Sequence, residues 1–464
     1  MLSFFYRNSP GLIRAALLSL FVCAVHCNLF AQVSIITTCA GNGKGSTINP
    51  SGPATAAHVT FPFAVATDAE GNFYMSDYYN IIYKVDTAGI ISIYGGGAAI
   101  SGGDDGPATA EYLNFPVEGM VFDNAGNMYF AESGNGSIRE INTSGIISTF
   151  AGRHLPAFGG DNGPATAAYL KYPSDIAFDS YGNMFIADAG NYLIRMVNTA
   201  GIITSIAGIP DSLGYSGNGG PATAAKLGNV SGITFDHSGN LLIAEGWPNN
   251  DIRKISPAGI ISMVAGDTSA AYGDGMQATA SKLGAVSDVT VDSAGNIYFP
   301  ESDSSVIRRI DAVTGILTTV AGTKKSGFSG DGGNPLSAML NAPSSITIDA
   351  HGRMYIADQQ NKRIRRIQIV HNEGIISQDI VHHISVLPNP GNGTFCVKGK
   401  LPVNDLTLRT TGMTGQVVFE QAYAVKNGDV NLVIQLPATL PTGIYVLNAI
   451  SAAGTEQYLV RIKR

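Results

Sequence analysis

The chain has 464 residues, a formal net charge of −7, 56 glycines and only 14% charged residues. Such a chain can bury a large core between frequent turns, and its acidic balance, without any long basic run, excludes a nucleic-acid surface.

Residues 1–31 carry Arg7 and Arg14, then the apolar Ala15–Val25, and no acidic residue. This is the pattern of a secretory signal peptide, with cleavage expected between Ala31 and Gln32. A membrane anchor would need a longer apolar run, so no transmembrane segment is expected in the mature chain. A lipoprotein processed at Cys27 would need a small residue where His26 stands. Cys23 and Cys27 leave with this segment. Cys39 and Cys396 remain in different domains; a bridge between them stays open, and two buried thiols are expected.

Residues 32–370 repeat. In Asp161–Gly208 four short apolar runs (SDIAFD, MFIADA, LIRMVN, IITSIAG), separated by Gly, Asn and Asp, read as strands of one antiparallel sheet. The turn between the first two runs recurs as Asp68–Asn72, Asp123–Asn127, Asp179–Asn183, Asp236–Asn240, Asp292–Asn296 and Asp349–Arg353, at intervals of 55 to 57 residues. A lone four-stranded unit cannot bury both faces, so six units predict an all-β, six-bladed propeller. The sixth unit supplies ITID, MYIAD and RIRRIQ but no convincing fourth run. Ile35–Gly41 (IITTCAG) matches Ile202–Gly208 and is expected to complete that blade, closing the ring; Gly374–Ser377 (GIIS) is the rival.

The pattern YIAD-x-x-N-x-x-x-R followed by GIITTxAG resembles the NHL repeat. It is carried by IADAGNYLIR (186–195), IADQQNKRIR (356–365), FAESGNGSIR (130–139) and MSDYYNIIYK (75–84). The resemblance covers about residues 33–370 and implies an NHL-like propeller, a module that serves as a binding scaffold, an extracellular domain or, in some members, a lyase. WD40 and kelch repeats fit less well, since the G-H…W-D signature is absent and there is one Trp.

Within each blade the first strand is expected to line the channel. Val65, Met120, Ile176, Ile233, Val289 and Ile346 occupy one face, and Ala66, Val121, Ala177, Thr234, Thr290 and Thr347 the other. Large against small suits the narrow end of a radial barrel. Connections of about 20 residues between blades share the form GGDNGPATAAYL, which predicts a short helical plug ending in a buried Leu. Their Gly-Asp-Gly clusters admit calcium but lack EF-hand spacing, so a structural turn is expected and no cofactor. Phe158, Tyr215, Tyr272 and Phe328, just before these turns, are expected to pack. An acid and a base recur in every blade: Asp77 and Lys84, Glu132 and Arg139, Asp188 and Arg195, Glu245 and Arg253, Glu301 and Arg308, Asp358 and Arg365. A catalytic site breaks symmetry, so these pairs are expected to tie second strand to third.

Residues that occur once are the better ligand candidates. Trp247 lies in EGWPNND with Asn250 and Asp251, in a loop one residue longer than its equivalents and on the face of the long connections. Exposed, it offers a platform for a sugar ring or an aromatic side chain; buried, it caps the blade. Tyr78, Tyr79 and Tyr192 belong to the same class of loop. Asp175 and Asp288 stand where other blades have Ala64, Gly119, Gly232 and Ser345; they either bind a cation or sugar hydroxyl or, as expected, are simply solvated. Propeller lyases that resemble this fold use a histidine-bound metal at the channel. Here His58, His154, His237 and His351 offer no recurring channel position, and no G-x-S-x-G, HExxH or Cys/His pairing is present. Catalysis is therefore not expected, with a metal-dependent lyase or hydrolase as the alternative.

Residues 371–383 read as a linker, and the period stops there. Residues 384–464 alternate in LTLRTTG, GQVVFEQ, NLVIQL, GIYVLNAI and EQYLVRIKR, which suits a small Ig-like β-sandwich. LPNPGNGTF, GMTGQVV and LPTGIYVLNA ahead of a basic C-terminus resemble the type A sorting domain of the bacterial type IX secretion system. That resemblance implies a Bacteroidetes-type protein handed through the periplasm to the cell surface or released. The combined reading is an exported binding or scaffold propeller for an extracellular glycan or protein, with a structural cell-surface component as a further alternative.

Overall fold

The structure is a computed structural model. It describes residues 34–45, 51–98, 103–114, 116–266 and 271–368, and, towards the C-terminus, 384–387, 394–400, 405–412, 417–425, 429–437, 439, 443–451 and 454–462. The expected leader 1–31, the linker 371–383 and the GIIS segment lie outside the described residues. The chain divides into two compact units between His371 and Asn372.

Among the described residues, the first unit holds six antiparallel sheets. Blade three shows the plan: Asp175–Phe178, Met184–Asp188, Leu193–Val197 and Ile202–Ala207 pair in that order, with Ile186 opposite both Ile176 and Arg195. The recurring turn has a bonding reason. Asp179 Oδ1 accepts from the backbone N–H groups of Tyr181 and Asn183, Oδ2 takes the Asn183 amide at 2.8 Å, and Gly182 supplies φ +83°. Asp123, Asp236 and Asp292 repeat the bond to their Asn, and in blade six Arg353 takes the place of Asn on Asp349.

Blades meet large against small. Ala177 and Ala187 of blade three share a buried cluster with Ile233, Leu241 and Ile243 of blade four. On the other side of blade three, Ile176, Met184 and Ile186 meet Tyr129 and Ala131 of blade two. The connections place a single 3-10 turn, shorter than the expected plug, because the chain returns to extended backbone at its end. Ala165–Ala167 is one such turn; Ala165 and the following Leu170 are buried, and Gly163–Pro164 adds a two-residue edge to the outer strand of its own blade.

The N-terminal strand closes the ring. Ile36–Ala40 pairs antiparallel with Arg363–Gln368, Ile36 lies opposite Ile367, and the Ile36 N–H donates to Gly333 O at 3.0 Å. This strand carries the free thiol of Cys39, which lies 3.3 Å from Ile364 O and is pushed up to about 12 by burial.

Among the described residues, the second unit has seven strands in two antiparallel sheets. One orders Ile384–Leu387, Thr394–Lys400 and Asp429–Gln435; the other orders Val417–Ala424, Asp405–Gly412, Gly443–Ser451 and Gly454–Ile462. Val397, Val430 and Ile434 from the first share a buried cluster with Leu406, Leu408 and Leu447 from the second, so the sheets pack face to face. The side chain of Cys396 lies outside the described residues.

Candidate functional site

The repeated acids and bases form closed clasps between second and third strands. Five pairs meet: Glu132 with Arg139 at 3.2 Å, Asp188 with Arg195 at 3.3 Å, Glu245 with Arg253 at 3.4 Å, Glu301 with Arg308 at 3.1 Å and Asp358 with Arg365 at 3.3 Å. Blade one departs from the expected pairing. Its loop between these strands is one residue shorter, so Tyr83 takes the arginine's place and its hydroxyl donates to Asp77 at 3.4 Å, while Lys84 turns to Asp68 at 4.0 Å.

The other end of each guanidinium meets the turn that also admitted a calcium reading. Arg139, Arg195, Arg308 and Arg365 bind Asp104, Asp161, Asp274 and Asp331, all within 2.9 Å. In blade four Asn218 and the Ser216 carbonyl do this instead. Phe158, Tyr215 and Phe328 cover the guanidinium faces of Arg195, Arg253 and Arg365, whereas Tyr272 lies against Lys282. Burial pushes Asp188 and Asp358 up to about 6, opposed by the amides of Asn191 and Asn361 and by the arginines. Asp251 belongs to this layer. It is buried, and burial followed by the charge of Glu245 lifts it to about 8 against the pull of Arg253. Asn250, half-buried at φ +50°, also turns its side-chain oxygen inward. Neither lines a cavity with Trp247, because the longer loop folds them under itself.

The channel is different. A cavity of about 740 Å³ is lined by the first strands of the blades and by loops that include Trp247. The inner edge of each first strand has no neighbouring strand, so its N–H groups need other acceptors. Asp175 accepts from Ile176 at 2.8 Å and from Ile233 of blade four at 2.6 Å. Asp288 accepts from Val289 at 2.7 Å and from the Ile346 N–H and Ser345 hydroxyl of blade six, both at 2.9 Å. A Cβ at Gly119 would stand 2.4 Å from Asp175, and one at Gly232 2.7 Å from Asp288, so the glycines of neighbouring blades make room for the carboxylates. These two aspartates are staples between blades, which corrects the expectation of plain solvation. Burial, then the charge of Asp288, pushes Asp175 well above the carboxylate range, and burial lifts Asp288 to about 6.

A ring of hydroxyls lies one residue earlier. Ser174, Ser231, Ser287 and Ser344 donate to the next blade at Val230 O (2.7 Å), Val286 O (2.9 Å), Pro343 O (3.1 Å) and Pro62 O (3.0 Å). From blade one, Ser76 donates to Val117 O at 2.8 Å. Among the described residues only the boundary between blades two and three lacks this bond, and there the column holds Glu118. Its carboxyl lines the cavity without a hydrogen bond or ion pair, and burial pushes it up to about 7. Sequence reading passed over Glu118, although the position five residues before the turn aspartate is serine in four of the six blades.

The rim is aromatic. Trp247 is 75% exposed and Tyr172 53% exposed, and both line the cavity. The Gly246 N–H donates to Asn229 O at 2.8 Å, which fixes the tryptophan loop beside the inter-blade connection, on the face expected. Trp247, Asp175 and Asp288 thus share one cavity. Tyr78 and Tyr79 are exposed but meet edge to face outside the cavity lining, where Tyr78 also meets Phe61; Tyr192 caps a 3-10 turn in the left-handed region and is half-buried. Among the described residues no histidine lines the cavity, and no three metal-ligating side chains are grouped to hold an ion. No helix of the described residues is long and apolar enough to cross a membrane.

Comparison with known proteins bears on both units. Residues 385–462 match the family described as the secretion system C-terminal sorting domain. The chain is similar to teneurin-4 of Mus musculus, 27% identical over 373 residues that cover 73% of this chain and 13% of that protein. It therefore spans only a small part of the curated relatives it matches. Among solved structures, an auxiliary nutrient binding protein from Bacteroides ovatus ATCC 8483 aligns with a TM-score of 0.54 and 18% identity, covering 72% of this chain and 76% of that one. A protein of unknown function from Bacteroides thetaiotaomicron VPI-5482 aligns with a TM-score of 0.53 and 16% identity over the same shares. These likenesses show the propeller fold.

Proposed function

We propose that this NHL-like propeller with a type IX sorting tail is an exported, non-catalytic binding module that takes a glycan at the mouth of its channel. The observation that carries the reading is Trp247, the chain's only tryptophan, held open to water on the rim of a cavity of about 740 Å³ beside the exposed Tyr172. An aromatic face left exposed beside a concave polar site suits stacking against the apolar face of a sugar ring. The Bacteroides ovatus nutrient binding protein shares the fold alone, so the choice of ligand rests on the rim. The clasp acids are engaged by arginines or, in blade one, by a tyrosine hydroxyl, and the staple acids by backbone N–H groups, so these acids serve the fold, which supports binding over the catalytic alternative.

The test is a glycan array probed with the mature full chain and with Trp247→Ala. Binding that disappears in the variant supports the reading. Glycan binding indifferent to Trp247, or capture of protein partners with no glycan signal, overturns it. Export is tested separately: deletion of residues 384–464 should leave the protein in the periplasm, and unchanged delivery to the surface or medium would sink that part.

A further inference from the structure

The cavity lining carries three carboxyls, Glu118, Asp175 and Asp288, and no lysine, arginine or histidine. Two of the three are accounted for by the fold, since Asp175 and Asp288 hold backbone N–H groups of neighbouring blades. Glu118 is not. In four other blades its column supplies a serine that clasps the next blade, and Glu118 gives up that clasp to place a half-buried carboxyl on the cavity wall with no partner. A half-buried acid left without a counter-charge on a cavity wall costs the fold some stability, and such a cost is retained where a ligand supplies the missing charge.

Resting on the reading of the channel mouth as the binding site, we infer that Glu118, backed by Asp175 and Asp288, receives a protonated amine, so that the ligand is an amino sugar rather than a neutral glycan. The sugar ring stacks at Trp247 and Tyr172, and its ammonium group points down to the unpartnered carboxyl. A single positive charge fits this site better than a metal ion, because the three acids are not grouped as metal ligands among the described residues. The other carboxyl groups of the lining are Asp175 and Asp288, and the charge of Glu118 is one of the influences that raise Asp175. An empty Glu118 that titrates near 7 holds its proton at pH 6, and an incoming ammonium expels it.

The experiment is calorimetric titration of the full mature chain at pH 6 with the tetramer of glucosamine and, in parallel, with its fully N-acetylated counterpart, which has the same rings without the cations. The amine form should bind about tenfold more tightly or better, with proton release visible as a dependence on buffer ionisation enthalpy. Glu118→Gln should remove both the preference and the proton release. Glu118→Ser, which restores the missing clasp, should do the same while raising the melting temperature, so that a misfolded variant is not mistaken for a specific loss. Failure of the glucosamine tetramer to bind, equal affinity for the two tetramers, or an unchanged preference in both variants overturns the assignment. Equal affinities that vanish in Trp247→Ala leave the glycan reading standing and remove only the amine. A preference that depends on Glu118 but not on Trp247 keeps the amine site and removes the stacking rim.

Discussion

Where second strand meets third, every repeat places an acid that is answered. Asp188 has Arg195 and Asn191, Asp358 has Arg365 and Asn361, and even the irregular blade one gives Asp77 a tyrosine hydroxyl. In the channel the acids break the sixfold pattern. Asp175 and Asp288 occur in two blades of six and are answered only by backbone N–H and a serine, while Glu118 occurs once and is answered by nothing. The contrast separates acids that belong to the scaffold from one that does not. A repeated pair holds each blade the same way, whereas an unpaired singleton in a cavity serves something the fold does not contain.

The largest effect should come from breaking a clasp. Arg195→Met leaves Asp188 and Asp161 facing each other across an apolar side chain and should cost about 3–5 kcal/mol, the usual penalty for stranding a buried charge. Urea denaturation of the two variants gives the comparison: replacing Arg195 and Asp188 together with apolar residues should recover most of that loss. If Arg195→Met unfolds no more easily than wild type, the clasps are not the scaffold element described above.

Next comes a channel staple. Asp288→Ala removes the acceptor for the N–H groups of Val289 and Ile346 and for the Ser345 hydroxyl, at about 1–3 kcal/mol for groups left unpaired. Hydrogen exchange should show the loss locally, as faster exchange at Val289 and Ile346 with little change at the Asp188 clasp. Uniform acceleration round the ring would contradict a staple confined to blades five and six.

The fold was legible because its signals repeat. The D-x-x-G-N turn, the Pro-Ala-Thr-Ala connection and the IITTCAG strand each announce a position by recurrence, and the structure follows them to the closing pair of Ile36 with Ile367. Counting by fixed spacing is also what misled at Lys84, since one missing loop residue shifts Tyr83 into the clasp. The staples were hidden for another reason. A sequence shows that Asp175 replaces a small residue, but the acceptor it provides serves Ile233, in the next blade, and inter-blade bonds leave no periodic trace of their own. Glu118 lay in a column that four serines make visible, yet reading by exception rather than by column passed it over.

The third effect is one of pH. Glu118 in the folded chain titrates near 7 and in the unfolded chain near 4.5, so between those values the folded chain holds a proton the unfolded chain has released. That stabilisation is complete below 4.5 and lost as pH rises through 7. Glu118→Gln cannot lose it, so the variant should match wild type in thermal scans near pH 4.5 and exceed it by on the order of 1–2 kcal/mol at pH 8. A gap that widens towards acid would mean that Glu118 has a native partner after all.

The smallest effect on stability should fall on the residue with the largest proposed effect on binding. Trp247 is 75% exposed, so truncating it removes few buried contacts, and surface changes of this kind stay within about 0.5 kcal/mol. The loop itself is held elsewhere, by the Gly246 N–H on Asn229 O and by the Asn249 amide on Glu245 at 2.6 Å, and neither bond involves the indole. Trp247→Ala should therefore unfold at the same urea midpoint as wild type while losing the glycan. A shifted midpoint would return the tryptophan to the scaffold with the clasps. An unchanged midpoint with binding lost would place it beside Glu118, among the residues the propeller keeps for something other than its own stability.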